Sequence, residues 1–414
     1  MDDYISKLPD DILCRLLSLL TVRDAIRARS LSTRWKHLPE CRSTLKFNYT
    51  SVFGKRECNY NECQNEFVSA VNQYLKIWAA QKISKFKLDF NLTKEYASHI
   101  DGWIACATRK RVEGLDLNFV VSRAGAPNYV LSCHLLHSEA SSLKHLRIHC
   151  CKLSLCSGYK SGCKSWLTQL TTLELICVTL VKNDMEHILS SCLNLTSLTI
   201  LACTDYSGCL HVKLPCLKKL VILITSAIDI DCPNLEIFDY TSNLSRRPDT
   251  PMTNCCAKVT FSHSPCCLRE VYLQVRCEKG GCLSKFVDHL TRNAPKLEHL
   301  FLVVNTEIKY SVTIKHSPER QYPDRPHSRL KKVKIEGYSK MWKGMEFVMY
   351  LLRNSIALEQ MVIVTNDISK WRVPLMLSAF VASFTLPTPV PMSLPYCRVK
   401  TKLEAADQLF ASWR

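Results

Sequence analysis

The chain has 414 residues, 47% hydrophobic and 22% charged, a balance that fits a folded globular protein and excludes disordered or collagen-like chains. Lysine and arginine outnumber aspartate and glutamate by 55 to 37, and the resulting net charge of +18 admits an anionic partner without identifying one. At ~100–200 residues per domain, the length suits two or three domains or one long repeat array. The 23 cysteines would fit a disulfide scaffold in a small secreted protein. Met1-Asp2-Asp3-Tyr4-Ile5, however, is acidic and lacks a secretory pattern, so reduced thiols and residence in the nucleus and/or cytoplasm are expected. The longest apolar stretch, Val373 to Leu386, is interrupted by Pro374 and Ser378 and falls short of the ~18 residues of a membrane span. No membrane partner is expected.

Residues 8 to 38 read as three short helices. Leu8-Pro9 makes an extended entry, because the residue before proline is pushed out of the helical region. Asp10 and Asp11 then suit the positive end of the helix dipole. Ile12, Leu13, Leu16, Leu17 and Leu20 recur with helical spacing and predict one apolar face. Thr21 with Asp24 is a capping-box-like restart for a second helix. Leu31, Trp35 and Leu38 mark a third, which Pro39 stops. Three helices in so short a stretch bury little surface alone, so part of the leucine-rich face must pack on the rest of the chain or on a partner protein.

The stretch Leu8-Pro9-Asp10-Asp11-Ile12-Leu13-Cys14-Arg15-Leu16-Leu17-Ser18-Leu19-Leu20, with Arg23-Asp24-Ala25-Ile26-Arg27 and Leu31-Ser32-Thr33-Arg34-Trp35-Lys36-His37-Leu38, closely resembles an F-box over residues 5–42. It departs from the family at Thr21, where proline is usual, and at Arg29-Ser30, where a small and an apolar residue are usual. The resemblance implies that Leu8, Pro9, Ile12, Leu13, Leu16 and Leu20 contact a Skp-type adaptor, while Leu31, Trp35 and Leu38 form the core of the module.

Beyond the helices, an apolar-x-x-apolar-x-apolar triplet recurs. It appears at Ile83/Phe86/Leu88, Val112/Leu115/Leu117, Leu143/Leu146/Ile148, Leu170/Leu173/Leu175, Leu195/Leu198/Ile200 and Leu217/Leu220/Ile222. It continues at Leu235/Phe238/Tyr240, Leu268/Val271/Leu273, Leu297/Leu300/Leu302, Leu330/Val333/Ile335 and Leu358/Met361/Ile363. Successive triplets start 18 to 33 residues apart, which brackets the ~20–29 residue period of leucine-rich repeats. Between some of them lie helical stripes, at Met185/Ile188/Leu189/Cys192, Leu283/Phe286/Val287/Leu290 and Phe347/Val348/Leu351/Leu352. The expected fold is therefore α/β: a three-helix N-terminal module followed by a degenerate leucine-rich-repeat parallel β/α solenoid over residues 43–310, with strands on the inner face and helices outside.

The resemblance extends further. Leu45-Lys46-Phe47, Ile100-Asp101-Gly102-Trp103-Ile104 and Val112-Glu113-Gly114-Leu115-Asp116-Leu117 look like the plant F-box/leucine-rich-repeat proteins. Leu330-Lys331-Lys332-Val333-Lys334-Ile335 and Met345-Glu346-Phe347-Val348-Met349-Tyr350-Leu351-Leu352-Arg353-Asn354 resemble the FBD domain, giving an FBD-like region at 325–365. The last segment, 366–414, carries Pro387, Pro389, Pro391 and Pro395 and is expected to be poorly ordered.

No phosphate loop, dinucleotide motif, HExxH pair or nucleophile elbow is present, so no catalytic residue is nominated and no cofactor is expected. Cysteine pairs such as Cys151/Cys156 and Cys277/Cys282 lack Cys-x-x-Cys spacing and are read as repeat-turn residues, with no metal site. A basic cluster from Thr313 to Lys343, with Tyr322, Tyr338 and Trp342 interleaved, offers a nucleic-acid surface, although alternation around Lys332 and Lys334 equally fits a half-buried strand with a solvated face. The resemblance implies a non-catalytic substrate receptor of an SCF-type ubiquitin ligase, docked through the adaptor to cullin. The rival reading is a basic solenoid that binds nucleic acid or scaffolds without ligase activity. Target contacts are expected on the outward strand positions, including Lys144, Arg147, Thr172, Glu174, Ser197 and Thr199, with Glu298 and His299 further along.

Overall fold

A computed structural model describes residues 7–28, 34, 44–54, 63–77, 83–119, 129–136, 142–155, 165–181, 183–203, 209–224, 227–242, 259–276, 287, 290–291, 293–305, 327–338, 348, 350–352, 354–365 and 380–385. They fall into two compact units, Met1–Tyr206 and Ser207–Arg414.

The first unit begins with α1 (Asp10–Leu19) and α2 (Val22–Ala28). The restart between them is the one the sequence predicts. The Thr21 hydroxyl accepts from the Asp24 N–H at 3.1 Å and donates to the Asp24 carboxylate at 2.7 Å, satisfying a first-turn donor. Leu13 is fully buried beside Ala28, with Leu8 and Cys14 packed on the pair. Val22, Ala25 and Ala28 turn the inner side of α2 onto α3 (Tyr49–Phe53) and α4 (Gln64–Ile77). Part of the apolar surface of the module is thus covered by the repeat region itself. Leu31, Trp35 and Leu38 lie outside the described residues. Arg34 reaches back to Asp10, with Nη2 2.6 Å from the carboxylate.

The strands of this unit are β1 (Thr44–Asn48), β2 (Lys85–Asp89), β3 (Gly114–Asn118), β4 (Val130–Ser132), β5 (His145–His149), β6 (Lys152–Ser154), β7 (Thr172–Ile176) and β8 (Ser197–Leu201). β1, β2, β3, β5, β7 and β8 pair in that order, all parallel and without a register shift. Residues alternate between the two faces of a strand, so a strict register stacks equivalent repeat positions. One ladder runs Leu45, Phe86, Leu115, Leu146, Leu173, Leu198, and a second runs Phe47, Leu88, Leu117, Ile148, Leu175, Ile200. The return segments carry α4, α5 (Ala97–Arg109), α6 (Ser165–Thr168) and α7 (Asp184–Ser191), together with the short parallel pair β4 and β6. In α7 the expected stripe is real: Met185, Ile188 and Leu189, with Cys192 just beyond, are all buried.

The second unit contains β9 (Cys209–Lys213), β10 (Lys219–Ile224), β11 (Ala227–Asp231), β12 (Ile237–Ser242), β13 (Val259–Phe261), β14 (Glu270–Arg276), β15 (His299–Asn305), β16 (Lys332–Tyr338), β17 (Gln360–Thr365) and β18 (Phe380–Thr385). β10, β12, β14, β15, β16 and β17 form a second parallel run, whose ladders are Leu220, Phe238, Val271, Leu300, Val333, Met361 and Ile222, Tyr240, Leu273, Leu302, Ile335, Ile363. Across both units all eleven predicted triplets are buried, with no member more than 4% exposed.

Two expectations change. The outer layer is not helical throughout, because β9, β11 and β13 form a parallel sheet of their own. Leu217 and Leu235 are only 18 residues apart. Such a short repeat must leave one strand, reverse and re-enter the next, and a five-residue strand rising ~3.3 Å per residue covers the return with far fewer residues than a helix rising ~1.5 Å. Within the tail expected to be poorly ordered, Phe380–Thr385 is a strand paired antiparallel to β17, which covers an edge that parallel neighbours leave unpaired. Of the later helical stripes, Val287, Leu290, Val348, Leu351 and Leu352 are helical and buried, whereas Leu283, Phe286 and Phe347 lie outside the described residues.

Tight exits after β5, β7 and β8 place Cys150, Cys177 and Ala202 at φ of 57°, 52° and 51°. These are equivalent positions in three successive repeats, and the left-handed region costs a residue with a Cβ ~1–2 kcal/mol. Glycine also loses more chain entropy on folding. Ala202→Gly is therefore expected to stabilise the protein by a net ~0.5 kcal/mol, read as a higher Tm. Leu175→Ala, in the middle of a ladder, should lower stability by ~2–5 kcal/mol in denaturant unfolding.

Candidate functional site

Two surfaces stand out. The first is on α1. Ile12, Leu16 and Leu20 are exposed at helical spacing, and Leu19 beside them is 83% exposed. Of the eight exposed large hydrophobics among the described residues, these four fall within nine positions, so the patch is contiguous rather than scattered. Pro9 is also exposed, and its carbonyl accepts from the N–H groups of Ile12 and Leu13 to start the helix. Leu13, expected among the contact residues, is fully buried against Ala28 in the free chain. Leu8 is shared between the two roles, half-buried against that core. Leu19 was not among the expected contacts, although it lies seven residues after Ile12 and so shares the helical spacing of the stripe.

The second surface is the open side of the parallel strands. In the first unit its central row runs Lys46, Lys87, Asp116, Arg147, Glu174 and Thr199. Arg147 Nε lies 2.6 Å from the Glu174 carboxylate, and Lys87 Nζ lies 3.2 Å from Asp116, which is buried. Thr172 and Ser197 sit in the row beside it, where the His145 ring nitrogen is 3.1 Å from the Thr172 hydroxyl. Lys144 precedes its strand and pairs with Glu113 at 3.9 Å. On the other flank Asn118 donates to Asp89 at 2.8 Å, and burial holds His149 below the usual histidine range. Asp89, Asp116 and Asn118 were absent from the sequence expectation, although Asp116 occupies the same position between two buried residues as Arg147 and Glu174. That position was the available signal.

In the second unit the equivalent row is Val221, Asp239, Tyr272, Phe301, Lys334 and Val362. Tyr272 and Phe301 stack with ring centroids 4.5 Å apart and planes 6° from parallel. Glu270 accepts from the Tyr272 hydroxyl at 3.1 Å and lies 3.3 Å from His299 Nδ1. Glu298 pairs with Lys331, and Lys334 with Glu336. Asp239 differs from the other open-face acids: it forms no ion pair or hydrogen bond with any described residue, and burial raises its pKa against the weaker opposing pull of Lys219.

Among the described residues neither surface brings a nucleophile–base pair or a metal-ligand cluster together. On the outer sheet of the second unit, Ser262 Oγ lies 2.6 Å from both oxygens of Asp229, and His211 lies 3.3 Å from the same carboxylate. Serine and histidine therefore share an acceptor instead of forming a nucleophile–base pair. Among the described residues no group of three or more His, Cys, Asp or Glu side chains could hold a metal ion. Among the described residues eleven cysteines are free thiols, and burial pushes Cys151 and Cys192 up to about 12 and Cys203 and Cys232 to about 11, which keeps those four protonated at neutral pH. Cys14, Cys63 and Cys133 correct the expectation of uniformly reduced thiols, because each is disulfide-bonded.

The upward shift of Asp239 has a stability consequence. A carboxyl whose folded pKa lies above its unfolded value disfavours the folded state when ionised, a penalty relieved as pH falls through the folded pKa toward 3.8. Asp239→Asn is expected to raise stability at pH 7 by no more than ~1 kcal/mol for this half-exposed group. The difference from wild type should vanish near pH 3.5, followed by Tm against pH.

Comparison with known proteins matches the F-box domain family to residues 5–40, the At1g61320/AtMIF1 LRR domain to residues 74–267 and the FBD family to residues 318–363. FBD-associated F-box protein At1g66310 of Arabidopsis thaliana is 26% identical over 89% of this chain and 91% of its own length. F-box/LRR-repeat protein At5g38396 of the same plant is 27% identical over 61% of this chain, and FBD-associated F-box protein At5g22730 is 28% identical over 48%. The chain spans only 54% and 40% of those two relatives. With an F-box, leucine-rich repeats and an FBD region following one another along its length, the chain belongs to the plant F-box/leucine-rich-repeat proteins that carry an FBD region.

Proposed function

We propose that the protein is the substrate-recognition subunit of an SCF-type ubiquitin ligase, acting in the nucleus and/or cytoplasm. The observation that carries this reading is the apolar stripe Ile12, Leu16, Leu19 and Leu20, left open on α1 while the inner side of α2 is covered by α3 and α4. Within an F-box region such a stripe is suited to a Skp-type adaptor, and Leu31, Trp35 and Leu38 would complete a three-helix module around it. The adaptor tethers cullin, and the open strand faces hold a target protein. The subunit itself performs no chemistry. It raises the local concentration of the target beside the ubiquitin-charged enzyme.

Leu16 is the residue to test, because Leu13 is core and its replacement would damage folding. Leu16→Asp places a charge in the centre of the contact and should weaken adaptor binding by at least ~2 kcal/mol, about thirty-fold, with the Tm unchanged. Titration of a purified Skp-type adaptor against the full chain decides the matter. Wild-type protein that does not bind adaptor, where a related F-box protein does, overturns the ligase reading. The compartment is tested separately by alkylating thiols in cells before extraction. Alkylation at each of the eleven cysteines that the structure leaves as free thiols supports the nucleus or cytoplasm, and disulfides formed among them support an oxidising compartment.

A further inference from the structure

The two open faces are electrostatically different. In the first unit every acid of the open face is already satisfied within the chain: Asp89 by Asn118, Asp116 by Lys87, Glu174 by Arg147. In the second unit Glu270 and Glu336 are likewise engaged, by His299 and Lys334. Within the strands of this face Asp239 is the exception, held by no ion pair or hydrogen bond. In the parallel register it sits between Val221 and Tyr272, and Phe301 stacks on the far side of that tyrosine. Lys219 on the neighbouring strand offsets the charge only in part and forms no ion pair with it, so this half-buried carboxylate is unfavourable in the free protein and gains from a cation that can hydrogen-bond to it.

Resting on the receptor reading, we propose that the Asp239–Tyr272–Phe301 strip is the anchor point for the target, and that it takes an arginine side chain presented by an extended segment of that protein. A guanidinium is planar and offers several donors in its plane. It can therefore donate to the Asp239 carboxylate while its face or stem lies on the Tyr272 ring. A lysine ammonium meets the charge but has no plane to stack. Val221 and Val362, at the two ends of the same row, supply apolar contact for flanking residues. Nucleic acid is disfavoured at this spot, since its phosphates would meet the carboxylate. The remaining surface, with a net charge of +18, favours a segment whose other residues are neutral or acidic. Aromatic residues and arginine are also the side chains that dominate binding energy at protein interfaces.

The test uses the full chain and phage-displayed 13-residue peptides with random flanks and a fixed central arginine, lysine or alanine. The arginine library should enrich over the other two, with acidic or apolar flanks. Synthetic versions of the enriched peptides should lose at least ~ten-fold in affinity against Asp239→Asn and against Tyr272→Ala. Asp239→Asn serves as a folded control, because its Tm should not fall. Equal enrichment of lysine, or affinities unchanged by both substitutions, overturns the assignment. Adaptor titration of the same protein separates the two readings. Intact adaptor binding with arginine-independent peptides refutes only the anchor, whereas arginine selection at Asp239 without adaptor binding refutes only the ligase receptor.

Discussion

The parallel register of the strands is the constraint on which the repeat region depends. Each triplet contributes two strand residues to a stack, Leu115 on Phe86 and Leu146 on Leu115, and the stack stays apolar only while every repeat enters at the same phase. A slip of one residue would turn Leu146 and Ile148 outward and bring His145 and Arg147 into the core. No single repeat could survive that exchange, because each buries its apolar surface only against its neighbours. Spacings of 18 to 33 residues are tolerated because the extra length is spent between strands, as helices, as the outer strands β9, β11 and β13, or as loops.

That same register builds the functional surface. Fixing the buried positions fixes the residues between them, so charges separated by about 27 residues in sequence become neighbours on the open face. Arg147 and Glu174 meet at 2.6 Å, and Tyr272 and Phe301 stack, without any local sequence relation. The consequences differ along the chain. Where opposite charges land side by side the face is neutralised internally, and such exposed pairs contribute little to stability. Where Asp239 lands between a valine and a tyrosine, the charge finds no ion pair and Lys219 offsets it only in part. Surfaces that bind strongly are more often of the second kind, with few charges and clustered aromatic residues.

The N-terminal helices show how burial assigns roles within one apolar pattern. Ile12, Leu13, Leu16 and Leu20 read as equivalent in sequence. The docking of α2 onto α3 and α4 then turns one side of the helix pair inward, and Leu13 closes against Ala28. The side facing away keeps Ile12, Leu16, Leu19 and Leu20 in water as a contiguous apolar patch, the kind of surface that marks interaction sites.

The eleven strand cores, the helix restart at Thr21 and the stripe of α7 were legible in the sequence alone. All of these rest on periodicity and local hydrogen bonding, which neighbouring residues carry. Packing across repeats settled which leucines of α1 remain open, which acids find cations, and that strands replace helices behind β10 and β12. It also paired Phe380–Thr385 with β17 and removed Cys14, Cys63 and Cys133 from the pool of free thiols. These outcomes depend on which residues meet across adjacent repeats, and that distance in sequence is set by return segments of variable length. No local pattern records it.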